Sequence, residues 1–482
     1  MKKLLWLAIP IAFLAAPSCK KTDSPAPGNN DTIPTASKID LLKDSVYLYT
    51  KEVYFWREVI PDYNTFNPRK YSGSTELEAA QNVMAAIRNL QPQDKKHGYS
   101  FVTTQEESDG IQTGEDKDYG FFIKAATFEK VQPVDSVRWY VEYVYKTSPS
   151  GLAGVERGWY ISKINGTSLG YDNASITTLN NTFFGSGNSA EFEFTKPNGD
   201  IKTVNLSKGS FTANAVLHNS VITDGAKKIG YIVFNQFFGA GAQAELRTAF
   251  NDFNSKGINE LVVDLRYNPG GSTATQNVFA NLIAPASANN KVMYTYDFND
   301  SLKAGKYSLL KKKMGNINFS SSANTTLFSK EGALEIPRVF FIVTGGSASA
   351  SELLINNLRP YMDVKLIGDT TYGKPVGFFP ISIFNYAIYP ISFKTINSVG
   401  DAEYYDGFAP DKLAGDGVNT NWGDPKDPSL AAALKYITTG SFGRMMTTEE
   451  DRRSFERQKM LQPLNEHINS KKFLGMYYDT KK

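Results

Sequence analysis

The chain has 482 residues, 41% of them hydrophobic and 21% charged, which excludes disordered, collagen-like and multispanning chains and leaves length for more than one folded unit. Fifty-two Lys plus Arg against 49 Asp plus Glu leave +3, too weak and too dispersed to imply nucleic acid or another polyanion as partner. A single cysteine rules out an intrachain disulfide, and His97, His218 and His467 stand without HExxH or CxxC spacing, so no zinc site is expected.

At the amino terminus, Lys2 and Lys3 precede an apolar run over residues 4–16, too short to span a bilayer comfortably, followed by small residues and Cys19. That layout predicts an export signal over residues 1–18. The lone Cys19 at its end resembles the lipobox of bacterial lipoproteins, although Ala16 stands where that pattern usually has Leu. The resemblance implies that Cys19 is the lipidation site and the first mature residue, which places the protein in the cell envelope, at the periplasmic face or the outer membrane. Residues 19–37 carry Pro, Gly, Asn and Ser without apolar periodicity and read as a flexible tether.

Residues 38–112 read as a small helical domain, with apolar and aromatic side chains at helical spacing over 39–89. Its aromatic stripe is expected to be core. Residues 118–208 alternate short β patterns with turns. There Tyr119-Gly120-Phe121-Phe122 leads a strand, and SPSGLAGVERGWYISKINGTSL sets a short helix before a strand and an Asn165-Gly166 turn. This resembles a PDZ domain, which takes a peptide as an added strand at a sheet edge. The resemblance makes Gly120, Phe121 and Phe122 candidate substrate-binding residues.

From residue 229 the pattern becomes strand, helix, strand. Strands are predicted at 229–234, 261–265, 337–343 and 364–367, and helices at 240–253, 275–282 and 351–358. Alternation of this kind argues for parallel β-α units in an α/β core over 209–440. Residues 289–335, poorer in pattern, read as a candidate insertion or lid, and 441–482 as a C-terminal helical tail. Three strand ends finish in unusual residues: Asp264-Leu265-Arg266-Tyr267-Asn268-Pro269-Gly270-Gly271, Thr344-Gly345-Gly346-Ser347-Ala348-Ser349-Ala350-Ser351-Glu352, and Gly368-Asp369-Thr370-Thr371-Tyr372-Gly373-Lys374-Pro375. Sites are built at such ends. A glycine pair frees N–H groups for an oxyanion, while Ser349-x-x-Glu352 reads equally as a helix-capping box. Lys374, in an apolar setting, is either a desolvated base or a surface residue.

In this order and spacing, DLRYNPGG, GGSASASELL and GDTTYGK resemble the C-terminal processing (tail-specific) peptidases, serine proteases with a Ser–Lys dyad on a crotonase-like core. The resemblance implies Ser349 as nucleophile, Lys374 as general base 25 residues later, and the N–H groups of Ala350 and of Gly270 or Gly271 as the oxyanion hole. It implies polypeptide substrates, chain ends or unfolded segments, with no metal or organic cofactor and no nucleic acid. One departure stands out: many members carry Gln four residues after the lysine, where this chain has Phe378. Glu352 or a backbone carbonyl then has to hold the base. The departure also motivates another reading, a catalytically weak or inactive peptide-binding envelope protein, and the aromatic-rich helical part carries a third, a structural envelope scaffold.

Overall fold

The computed structural model describes residues 36–128, 137–443, 449–468 and 475–478. The export signal, Cys19 and most of the tether lie outside them. Among the described residues no helix is long and apolar enough to cross a membrane.

The frame is a six-stranded sheet. Val216–Asp224 runs antiparallel to Lys227–Phe234, and from there the sheet continues in parallel through Glu260–Asp264, Arg338–Val343, Asp363–Gly368 and Lys412–Leu413. Arg338–Val343 reads RVFFIV because helices cover both faces of a parallel sheet, and its last five residues are buried. Helices Ala242–Lys256, Thr273–Ile283, Ala350–Leu358 and Pro428–Thr439 supply that cover. Each lies within a few residues of the position its periodicity predicts, where the sequence predicts one.

A second six-stranded sheet stands beside the first, in the order Gly270–Ser272, Gly475–Tyr477, Val376–Phe378, Ile391–Asn397, Val292–Phe298 and Thr325–Leu327. Two features here differ from the sequence reading. The 289–335 segment supplies an inner strand of this sheet, Val292–Phe298, whose Met293, Tyr294, Tyr296 and Phe298 are buried. Beyond its helix Glu449–Ile468, the C-terminal tail contributes the strand Gly475–Tyr477.

Helices Lys38–Val53 and Glu76–Arg88, capped by Ser37 and Thr75, have no core of their own. Leu42, Val46, Tyr54 and Ile87 pack in one cluster with Val376, Phe378 and Phe393, and Phe101–Thr104 pairs with Tyr386–Tyr389. By contrast the β-rich unit has a separate core. Its strands run Phe121–Ala126, Arg138–Val144, Tyr160–Ile164, Ser189–Thr195 and Ile201–Ser207, with helix Asn173–Phe184 laid against them around Trp139, Phe192, Phe194 and Leu179.

A buried ion network joins that unit to the frame. Asp416 accepts from Lys124 (2.6 Å) and Arg157 (3.1 Å) on the β-rich side and from Arg266 (3.0 Å) and Tyr267 (2.7 Å) on the other. Arg266 also donates to Asp264 (2.7 Å) and Asp427 (2.7 Å), and Asp427 caps the helix Pro428–Thr439. Removing one member strands buried charge, so Asp416→Ala is expected to cost about 3–5 kcal/mol in urea unfolding. A loss near zero would mean that the joint carries no net stability.

Candidate active site

The three unusual strand ends meet, and the Glu352 carboxylate ties the second of them to the third. Its Oε2 accepts from the N–H of Ser349 (2.8 Å) and of Lys374 (2.8 Å), and its Oε1 from Thr371 Oγ1 (2.6 Å) and the Gly373 N–H (2.6 Å). All four partners are donors, as an acceptor-only carboxylate requires. Burial pushes the Glu352 pKa up, and these bonds pull against that. The sequence pattern Ser349-x-x-Glu352 therefore does more than begin a helix: it ties the backbone of the distant 371–374 loop to the serine's own turn.

Ser349 is buried, and its Oγ has no hydrogen-bond partner. Its φ is +58° and its ψ −102°, a conformation that L residues adopt only under strain. The neighbouring serines differ. Ser347 Oγ donates to the Leu265 carbonyl (2.7 Å), and Ser351 Oγ to the Asn268 carbonyl (3.1 Å). Of the three, the middle one alone is strained and unbonded at its oxygen.

Lys374 is fully buried. Its Nζ lies 4.1 Å from the Phe378 ring centre and 4.8 Å from that of Tyr99. Desolvation lowers its pKa to about 7, against the opposing pull of Asp94 and Glu352. Phe378, at the position where the resembled pattern has Gln, forms one wall of this setting. The other wall comes from the N-terminal part, where the Tyr99 hydroxyl donates to the Gly373 carbonyl. No local sequence signal marks Tyr99, which sits 275 residues before the lysine.

The glycine pair resolves into two roles. The Gly270 N–H donates to Asn268 Oδ1 (2.9 Å), which leaves the Gly271 N–H as the pair's candidate oxyanion donor. Their φ values of +107° and +139° require glycine, and a Cβ on Gly270 would stand 3.0 Å from the Ala348 carbonyl. Asn268 also accepts the Ala348 N–H (3.0 Å), which holds the two loops together. Ala350 opens the helix after Ser349, so its N–H is among the first-turn donors without an intrahelical acceptor.

Gly120 and Phe121 lie within the β-rich unit, whereas Phe122 packs on the cluster that this unit shares with the frame. The Gly120 N–H donates to the Asp118 carboxylate, and Phe121 lies in the unit's core against Phe183 and Phe192. Phe122 stacks on Tyr143 at 4.7 Å. Among the described residues no cluster of His, Cys, Asp and Glu has the grouping of a metal site.

Residues 228–406 match the model of Peptidase family S41. The carboxyl-terminal-processing protease of Picosynechococcus sp. is 26% identical over 231 residues, 47% of this chain and 48% of that protein. The protein of the same name from Synechocystis sp. is 28% identical over 148 residues, 31% of this chain and 29% of that one. The chain thus spans about half or less of the length of these curated relatives. Among solved structures, a protein assigned as an S41 protease from Bacteroides fragilis shares the fold, with a TM-score of 0.59 at 20% identity over 83% of this chain and 97% of that one.

Proposed function

Because residues 228–406 match the model of Peptidase family S41 and the chain is similar to carboxyl-terminal-processing proteases, we propose that it is a serine endopeptidase of the tail-specific kind working through a Ser349–Lys374 dyad. The observation that carries this reading is the Glu352 carboxylate, which holds the backbones of a strained serine and of a lysine with a pKa of about 7.

Neutral Lys374 takes the Ser349 Oγ proton as the oxygen attacks a peptide carbonyl carbon. The developing oxyanion is met by the N–H groups of Gly271 and Ala350. Lys374 passes its proton to the leaving amine, then deprotonates the water that hydrolyses the ester and restores Ser349. The α/β frame is the crotonase-like core in this reading. Residues 118–208 are its PDZ-like recognition unit, offering the edge of Phe121–Ala126 to an extended chain.

The test is a digest of unfolded casein by the wild type and by Ser349→Ala, with fragment ends read by mass spectrometry. Discrete cuts made by the wild type alone support the proposal. The same cuts from both chains, or none from either, sink it.

The reading includes an envelope lipoprotein anchored at Cys19, because lipid chains on that residue would hold the protein at a membrane where no described helix can. Cys19→Ala is expected to move the protein from the membrane to the soluble fraction with its activity intact. Unchanged fractionation would place the anchor elsewhere.

A further inference from the structure

Gly475–Tyr477 lies between the two strands that carry the site. It runs parallel to both, with Gly475 opposite Gly270, Met476 opposite Gly271 and Gly377, and Tyr477 opposite Ser272 and Phe378. The Gly475 N–H donates to the Pro269 carbonyl (2.9 Å), and the Tyr478 N–H to the Phe378 carbonyl (3.0 Å). In a parallel ladder of this register the donor opposite the Gly475 carbonyl is the Gly271 N–H, the group assigned to the oxyanion. A Cβ on Gly475 would stand 2.9 Å from Lys374 Nζ. The gap between the oxyanion loop and the lysine strand is therefore one strand wide, and the chain's own tail fills it at the level of the dyad. Ser349 and Lys374 are both 0% exposed.

A second observation concerns the helix just upstream. Glu449–Ile468 packs on Phe121–Ala126, the edge strand of the β-rich unit. Asn465 accepts the Ala125 N–H (2.8 Å) and donates to the Ala125 carbonyl (3.1 Å), both groups that an added strand would use. Leu461 is buried in the same core as Leu179 of the helix Asn173–Phe184.

We infer that the C-terminal segment is a built-in competitor of substrate: its helix covers the recognition edge, and Gly475–Tyr478 holds the catalytic cleft as the strand that a substrate must displace. The inference rests on the peptidase reading above. It also describes the occupant that the cleft accepts: an extended chain with glycine at the dyad, followed by an apolar residue where Met476 is buried and an aromatic one where Tyr477 is buried. A side chain at the glycine position collides with Lys374 and Phe378.

The test compares the full chain, a chain ended after Ile468, and full-length Gly475→Val, whose side chain cannot stay in the gap. Initial rates on unfolded casein are expected to rise at least about tenfold in both variants, the release expected when a tethered competitor at millimolar effective concentration and ~0.1 mM affinity is removed. A synthetic peptide of residues 475–482 is expected to slow the shortened chain competitively, and the same peptide carrying Met476→Glu to leave it unaffected. Fluorescence anisotropy of the labelled peptide on shortened Ser349→Ala reads occupancy without any chemistry. Peptide binding in the absence of hydrolysis by every form keeps the competitor and removes the peptidase. Hydrolysis by the full chain that neither variant raises, with no peptide binding, overturns the competitor and leaves the peptidase standing. Should the shortened chain fail to fold, Gly475→Val decides, and a rate at or below that of the full chain overturns the inference.

Discussion

Ser349→Ala is expected to slow peptide hydrolysis by at least about 10³-fold, the scale seen when a nucleophile is removed from a concerted unit, while melting within a degree or two of the wild type. The stability half follows from the geometry. Ser349 Oγ has no hydrogen-bond partner, so deleting it breaks no bond, and the Glu352 bond to the residue-349 N–H persists. Ser349→Gly separates the effects further. It is equally inactive, yet relief of the strained backbone is expected to raise stability by up to about 1 kcal/mol. Ser347→Ala and Ser351→Ala give the reverse split, losing a buried hydrogen bond and some stability while keeping substantial turnover. Ser347→Ala as inactive as Ser349→Ala, with both folded, would refute the assignment of the middle serine.

Lys374→Met is expected to be as inactive as Ser349→Ala, and the pH dependence of the wild type identifies why. The lysine has to be neutral to accept the serine proton, so turnover rises with pH through about 7 and levels off above it. An optimum near pH 4–5, roughly the carboxylate range, would point to an acid pair instead. Stability follows the same titration. The unfolded chain holds the lysine proton up to the ordinary value of 10.5, whereas the folded chain releases it near 7. Between those values the unfolded state binds more protons, so this group makes the wild type more stable as pH rises. Lys374→Met lacks that dependence and should melt above the wild type at pH 6, the gap closing towards pH 10. A parallel pair of melting curves across that range would mean that the lysine is not desolvated.

The four inner strands of the frame were legible because they are short apolar runs, and its helices because they keep a clear period, as in RVFFIV and the segment around Leu353 and Leu354, whereas the edge strands Val216–Asp224 and Lys412–Leu413 were not. The three motifs were legible because strand ends in an α/β sheet converge by topology. What surrounds Lys374 was not. Tyr99 reaches it from a part of the chain whose aromatic spacing signals only burial, and Phe378 reads as a missing Gln until its ring is seen against Nζ. Val292–Phe298 alternates apolar and polar residues over VMYTYDF, a strand period that was available but sits among Lys, Ser and Asn. Gly475–Tyr477 carries no such signal: three residues cannot show a period, and this strand exists only because two others leave a gap of its width.

The joint at Asp416 has a consequence for how acid acts on the molecule. Burial alone would raise that carboxyl, but Lys124, Arg157 and Arg266 together hold its pKa well below the usual 3.8. Its contribution to folding is thus lost only in acid far stronger than the pH at which Lys374 takes up its proton. With the proposed dyad, acidification is expected to stop turnover first and loosen the joint last. Between those two events a broad interval is expected in which the lysine is protonated while the joint still holds, so that turnover lost in mild acid returns on neutralisation.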